Sequence, residues 1–287
     1  MKPDPRFLNQ PKHFWGNVRS ISQHVGYTAR GTGQILIPDL DLILKALGEL
    51  GLGTTHVADK NGNPTTTGAS LLAYFAHRAD LLNNFVEPRL MDAKQAAAAF
   101  KRVLKSTKCK FSVPMNKQKG DKRKPAYLTA IVNMLIDANI GDLDCDYDPR
   151  ELTTFTHQGA PLRTLARRVD GAFPRVKNPI AVWEVKEYYY TTTFGSRVAD
   201  GVYETLLDGM ELEELRQSER VDCKHYLMID AHFTWWDCGR SYLCRIVDML
   251  HMGYVDEVLV GTEVIDRMPS LAKEWVMLLK ARDSRGK

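Results

Sequence analysis

Residues 180–190 read IAVWEVKEYYY, and the fold turns on how this stretch is taken. Its alternation predicts a strand with Glu184 and Lys186 on one face and Trp183, Val185 and Glu187 on the other. A carboxylate and an ammonium on an otherwise apolar, central strand are costly to bury unless a partner or a metal compensates. The pair therefore marks a functional site rather than a stabilising one.

The strand has a partner upstream. LRTLARRVDGAF (162–173) predicts a second strand, and PRVKNP (174–179) supplies the turn. If the hairpin turns around Lys177, Asp170 falls opposite Glu184 on the same face, with Cβ atoms roughly 5 Å apart. Two carboxylates that close repel unless a cation bridges them. Magnesium, a hard ion that prefers oxygen ligands and keeps several waters, suits the gap.

Further from the hairpin, the pattern alternates. SRVADGVYETLLDGMELEELR (196–216) predicts a helix, HYLMIDAHFTWW (225–236) a strand, SYLCRIVDMLHMG (241–253) a helix, DEVLVGTEVI (256–265) a strand and SLAKEWVMLLKAR (270–282) a closing helix. Ahead of the hairpin, KPAYLTAIVNMLIDANIG (124–141) is a helix with proline near its start and glycine at its end, followed by a polar, acidic loop (142–161). The fold class expected is α/β: a mixed central sheet flanked by helices.

The N-terminal region reads as mostly helical. PDLDLILKALGELGLG (38–53), ASLLAYFAHRADLLNNF (69–85) and MDAKQAAAAFKRVLK (91–105) are rich in strong helix formers, and NVRSISQHVGYTARG (17–31), broken at Gly26, has the form of the first half of a helix-turn-helix, although short helices split by a glycine are commoner as plain packing. The expected division is a helical region over 1–107, with a DNA-binding or recognition role, and an α/β domain over 108–287.

Composition narrows the partners. A chain of 287 residues that is 44% hydrophobic can bury a core, and no run approaches the length of a membrane span. With no apolar leader in MKPDPRFLNQPKHFWGN either, the expected location is the cytoplasm. Five scattered cysteines without a CxxC pair read as buried thiols of a reducing compartment. The overall charge is only +4, yet residues 101–124 hold ten basic side chains against one acid, Asp121, which leaves the remainder of the chain acidic. Such concentration predicts a polyanionic partner, with Lys117, Lys119, Lys122, Arg123 and Lys124 as phosphate contacts.

Asp170, thirteen intervening residues and then Glu184-Val185-Lys186 resemble the signature of the PD-(D/E)XK nuclease superfamily, which includes most type II restriction endonucleases. The resemblance covers about residues 124–262, where the element order also matches. It implies a restriction-endonuclease-like fold and magnesium-dependent hydrolysis of double-stranded DNA, with restriction as the role and repair, recombination or transposition as alternatives. Asp170 and Glu184 would then be metal ligands, the main-chain carbonyl of Val185 a further one, and Lys186 the group that orients or helps deprotonate the attacking water. A homodimer cutting both strands is implied as well. Two departures are visible: Val169 stands where the family has proline, and Asp137 matches only by position an additional acid on the first helix. A non-catalytic DNA-binding protein that happens to carry ExK is the alternative outside this class.

Arg197 and Ser196 open the helix after the strand, where main-chain amides favour phosphate, although capping explains Ser196 equally well. Tyr188, Tyr189 and Tyr190 read as core and rim, and His157 as a solvated loop histidine. Asp142, Asp144, Asp146 and Asp148 lack the glycine and glutamate of a calcium loop and read as a plain acidic loop.

Overall fold

A computed structural model of the chain describes residues 1–107, 112–116, 124–191 and 195–285. The N-terminal helices are α1 (Pro5–Leu8), α2 (Lys12–Val25), α3 (Leu40–Glu49) and α4 (Thr66–Asp80), and α5 (Ala93–Ser106) and α6 (Tyr127–Asp137) follow. The starts of α3, α4 and α5 are set by side chains that satisfy otherwise orphaned amides. Asp39 accepts from the Leu42 N–H, Thr65 from that of Gly68, and Asp92 with Gln95 closes a capping box at α5. α2 ends at Gly26, whose φ of 104° only glycine adopts cheaply. An extended stretch with a Thr28–Ile35 bridge comes next, so no second helix follows Gly26 to make a helix-turn-helix, in keeping with the packing reading.

The remaining elements are β1 (Asp146–Tyr147), β2 (Thr154–His157), β3 (Ala160–Thr164), β4 (Gly171–Phe173), β5 (Ala181–Glu187), α7 (Ser196–Glu219), β6 (Lys224–Asp230), α8 (Arg240–His251), β7 (Glu257–Val260) and α9 (Glu263–Arg285). The main sheet has the order β1-β4-β5-β6-β7. β1, β4 and β5 pair antiparallel, whereas β5, β6 and β7 are parallel and joined through α7 and α8. The architecture is thus α/β, a mixed five-stranded sheet flanked by helices, as expected. Among the described residues no helix is long and apolar enough to cross a membrane.

The sheet buries both faces. On one, Phe173, Trp183, Tyr226 and Met228 pack against α6 and α9, with Trp183 stacked on Trp275 at 5.2 Å between ring centroids. α5 joins this core through Ala96, Phe100 and Val103. On the other face Leu227, Ile229 and Val258 meet Leu243 and Val247 of α8. α1 to α4 enclose a separate core of Phe7, Trp15, Ile43 and Phe75. This layer is fastened to α8 by Asp248, which accepts from Tyr74 at 2.6 Å and pairs with the buried Arg78 at 3.1 Å.

Four elements differ from the sequence expectation. The 162–173 strand is two: β3 pairs with β2 in a separate hairpin, and the connection between β3 and β4 carries Arg167. The acidic loop contains β1 and β2, because residues 146–147 find an open edge on β4. The apolar run after Asp230 leaves the sheet as a π-helical turn, Phe233–Cys238, whose Trp235 and Trp236 stay buried. A short apolar run does not distinguish a strand from a buried helix. Lastly, β7 ends at Val260 and α9 begins at Glu263, taking in Val264 and Ile265. Of the cysteines, Cys223 and Cys244 are buried, but Cys238 is exposed.

Candidate active site

The β4–β5 register decides the site. Gly171 faces Trp183, Ala172 faces Val182 and Phe173 faces Ala181, so Asp170 lies opposite Glu184 as the hairpin reading expects. Two close approaches fix this geometry. A Cβ on Gly171 would stand 2.1 Å from the Trp183 ring, and one on Gly201 would stand 3.2 Å from Lys186 Cδ, so glycine in α7 leaves room for the lysine stem.

Glu184 is fully buried and Lys186 nearly so. Their side chains meet at 2.6 Å, Nζ to Oε2. The Asp170 N–H donates to Glu184 Oε1 at 3.2 Å, and Asp170 Oδ2 accepts from the Val185 N–H at 2.8 Å. Three further groups complete the cluster. Arg167 reaches Glu184 Oε1 at 2.9 Å and Asp208 Oδ2 at 2.5 Å, and Lys186 reaches Glu204 at 3.1 Å. Local sequence patterns did not single out Arg167, Glu204 or Asp208. The available signal was the stripe Gly201, Glu204, Thr205, Asp208 in α7, a polar face at helical spacing turned towards the strand.

Four carboxylates thus share two cations. Burial and the charge of Glu184 push Asp170 up to about 6 and Asp208 up to about 7. Burial also opposes ionisation of Glu184, but Lys186 and Arg167 hold its carboxyl below the usual range. Lys186 is raised above its ordinary value, the pull of Glu184 and Asp170 exceeding the effect of burial. Asp208 Oδ1 is buried without a hydrogen-bond partner.

A magnesium ion would need one or two carboxylates here and would keep its waters. Asp170 and Glu184 are the hard oxygen donors on the strand pair, but both Glu184 oxygens are engaged by Arg167, Lys186 and the Asp170 N–H, and Asp208 is held by Arg167. Among the described residues no group of three or more His, Cys, Asp and Glu side chains is placed so that it could hold a metal ion.

Asp170 also faces outward. With Val185, Glu187, Asn133, Asp148 and Arg197 it lines a cleft of about 330 Å³. Arg197, expected as a phosphate contact, stands in this cleft beside Asp170, and Gly195 rather than Ser196 occupies the cap position of α7. On α6 the residues facing the cleft are Thr129 and Asn133, the latter one turn before Asp137. Asp148, read as part of a plain loop, is brought in by β1: its N–H donates to the Asp170 carbonyl at 2.9 Å. Asp146 is engaged structurally, accepting from Val176 N–H at 2.7 Å. His157 sits on the separate β2–β3 hairpin. Burial pushes Glu187 up to about 7, although Leu128 and Thr129 at the start of α6 donate to it.

The basic stretch meets the same cleft. Met115 bridges Pro125, Asn116 N–H donates to the Lys124 carbonyl at 2.8 Å, and Pro114, Met115 and Asn116 form part of the cleft wall. Lys124 stands over the Tyr190 ring at 4.5 Å. Lys117, Lys119, Lys122 and Arg123 lie outside the described residues. The three tyrosines serve packing: Tyr188 lies against Trp235, Tyr189 donates to Asp230 at 2.5 Å, and Tyr190 lies near Tyr127.

The family model described as domain of unknown function DUF7687 matches residues 91–275. The chain belongs to the DUF7687 family. A second model, domain of unknown function DUF7690, matches residues 1–85. The DUF7687 match takes in α5, the whole five-stranded sheet and the cleft, and the DUF7690 match takes in α1 to α4. Neither the curated proteins nor the solved structures give a match.

Proposed function

We propose that this DUF7687 protein is a magnesium-dependent endonuclease of the PD-(D/E)XK type, with a restriction-endonuclease-like core, acting on double-stranded DNA. The observation that carries the reading is the β4–β5 hairpin, which sets Asp170 against Glu184 and puts Lys186 2.6 Å from that glutamate. Restriction of foreign DNA is the proposed role, and a homodimer the proposed form for cutting both strands. The cytoplasm is the proposed location.

In this reading Asp170 and Glu184 hold the ion, with the Val185 carbonyl as the further main-chain donor. Magnesium supplies a water of lowered pKa and screens the phosphate charge. Lys186 stabilises negative charge developing on the attacking oxygen and the phosphate. Arg197, in the first turn of α7, meets a phosphate at the cleft, where the helix amides also favour an anion. Lys124 and the basic residues before it, Lys117, Lys119, Lys122 and Arg123, hold the duplex backbone without reading sequence.

A different reading is favoured by one observation: the Glu184 oxygens are already taken by Arg167, Lys186 and the Asp170 N–H, as in a structural ion network of a non-catalytic DNA-binding protein. Plasmid DNA incubated with the purified chain, in magnesium and then in EDTA, separates the two. Nicking or linearisation that needs magnesium and disappears in Glu184→Gln supports the nuclease. DNA binding without cleavage supports the network.

A further inference from the structure

A mostly apolar cavity lies away from the cleft, between the N-terminal helices and the far side of α7. It has a volume of about 680 Å³ and is walled by α2 and the residues after α3 on one side and by α7 and α8 on the other. α7 thereby has two working faces: Glu204 and Asp208 turn to the charged cluster, and Val202, Tyr203 and Leu206 turn to the cavity. Cavities of this size, mostly apolar with a few placed polar groups and set where two units meet, are characteristic of small-ligand sites.

Its polar groups are unevenly matched. Arg19 and Arg245 line it from opposite sides, and among the described residues neither forms a salt bridge. The contact shown for the Arg19 guanidinium is the Met252 Sδ at 3.4 Å. Arg245 is fixed between two rings, 4.5 Å from Tyr27 and 4.5 Å from Tyr242, and touches the Ser241 carbonyl at 3.5 Å. The acid in the wall, Asp248, is answered from behind by Arg78 and Tyr74, so it does not offset the two guanidiniums. His24 is bound to Glu49 at 2.6 Å. Tyr203 is 50% exposed, and its ring meets Tyr242 edge-on at 6.3 Å.

We propose that this cavity binds a nucleotide, its base against the apolar and aromatic wall of Tyr203, Leu206 and Leu52 and its phosphate between Arg19 and Arg245. Guanidiniums without a carboxylate partner offer N–H groups in a fork that fits phosphate oxygens, and an exposed tyrosine ring offers a face for a base. The volume suits a nucleotide better than a single aromatic ring. The inference does not depend on the nuclease reading, because none of these residues belongs to the charged cluster.

The test is calorimetric titration of the full chain with ATP and with GTP in EDTA, which removes any nucleotide held through a metal elsewhere. Adenosine and inorganic phosphate are titrated separately as fragments. Saturable binding at one site is expected, with each fragment at least tenfold weaker. Arg19→Glu changes an exposed side chain and should weaken binding tenfold or more. Leu206→Trp should fill the cavity and abolish binding while circular dichroism shows a retained fold. Three results overturn the proposal: no saturable binding of either nucleotide, affinity unmoved in Arg19→Glu, or adenosine binding as tightly as ATP. Light scattering gives a fourth. A wild-type dimer dispersed by Leu206→Trp, with no nucleotide bound, would assign the cavity to a second copy of this chain.

Discussion

Glu184 and Lys186 are the residues on which the proposed chemistry rests, and their burial dictates how they are tested. Alanine at 184 would remove the buried carboxylate that Arg167 and Lys186 share, a loss of about 3–5 kcal/mol that would confuse unfolding with inactivity. Glu184→Gln and Lys186→Met keep shape and are expected to abolish cleavage, with less than a threefold change in DNA binding by gel shift. Full cleavage by either would remove the residue from the site. The choice of aspartate is equally open to measurement. Asp170→Asn should stop cleavage and raise the magnesium required, whereas Asp146→Asn should act only on stability, since Asp146 holds the Val176 amide. Asp148→Asn is the informative variant: a plain loop residue would leave cleavage unchanged, but Asp148 shares the cleft with Asp170, and a several-fold rise in the magnesium required is expected. Away from the site, Asp230 accepts from Met91, Ala231 and Tyr189, faces Glu187 across the strands, and is pushed by burial from 3.8 up to about 7. Unfolded, it loses its proton near pH 4; folded, it keeps the proton until about pH 7. Between those values the unfolded chain binds fewer protons, so this group makes stability fall as pH rises and has no further effect above pH 7. Asp230→Asn should remove a slope on the order of 1–3 kcal/mol across that window, read from urea midpoints at pH 5 and pH 7.5.

At the scale of elements, the hairpin is held in register by packing more than by its turn. Trp183 occupies the space that a side chain at 171 would need, then stacks on Trp275 of α9. Gly171→Ala is therefore expected to destabilise by about 1–3 kcal/mol or more, with the urea midpoint lowered and cleavage reduced in parallel as Asp170 shifts along β5. Unchanged stability would mean that Trp183 has another place to go. α7 belongs to this scale as well. Its polar stripe closes over Glu184 and Lys186 while its opposite face borders the nucleotide-sized cavity, so one rigid helix touches both.

For the whole molecule, the basic stretch and the cleft are the features to test together. Replacing Lys117, Lys119, Lys122, Arg123 and Lys124 with glutamine should weaken binding to every DNA sequence alike and flatten log K against log salt by about 0.9 per lost contact. An unaltered slope would make the stretch a bystander. The sequence by itself determined the α/β class, the strand at 181–187 and the hairpin register that pairs Asp170 with Glu184, because strand period and turn position are local properties carried by neighbouring residues. It also located the basic stretch that leads to the cleft wall. Only the tertiary structure brought Arg167, Glu204 and Asp208 onto the glutamate, folded β1 back so that Asp148 lies by Asp170, and divided 162–173 between two hairpins. These contacts join segments far apart in the chain, and no periodicity within one segment encodes which distant edge or helix face it will meet. That is settled by the competition to bury apolar faces and pair open strand edges, which is a property of the assembled sheet.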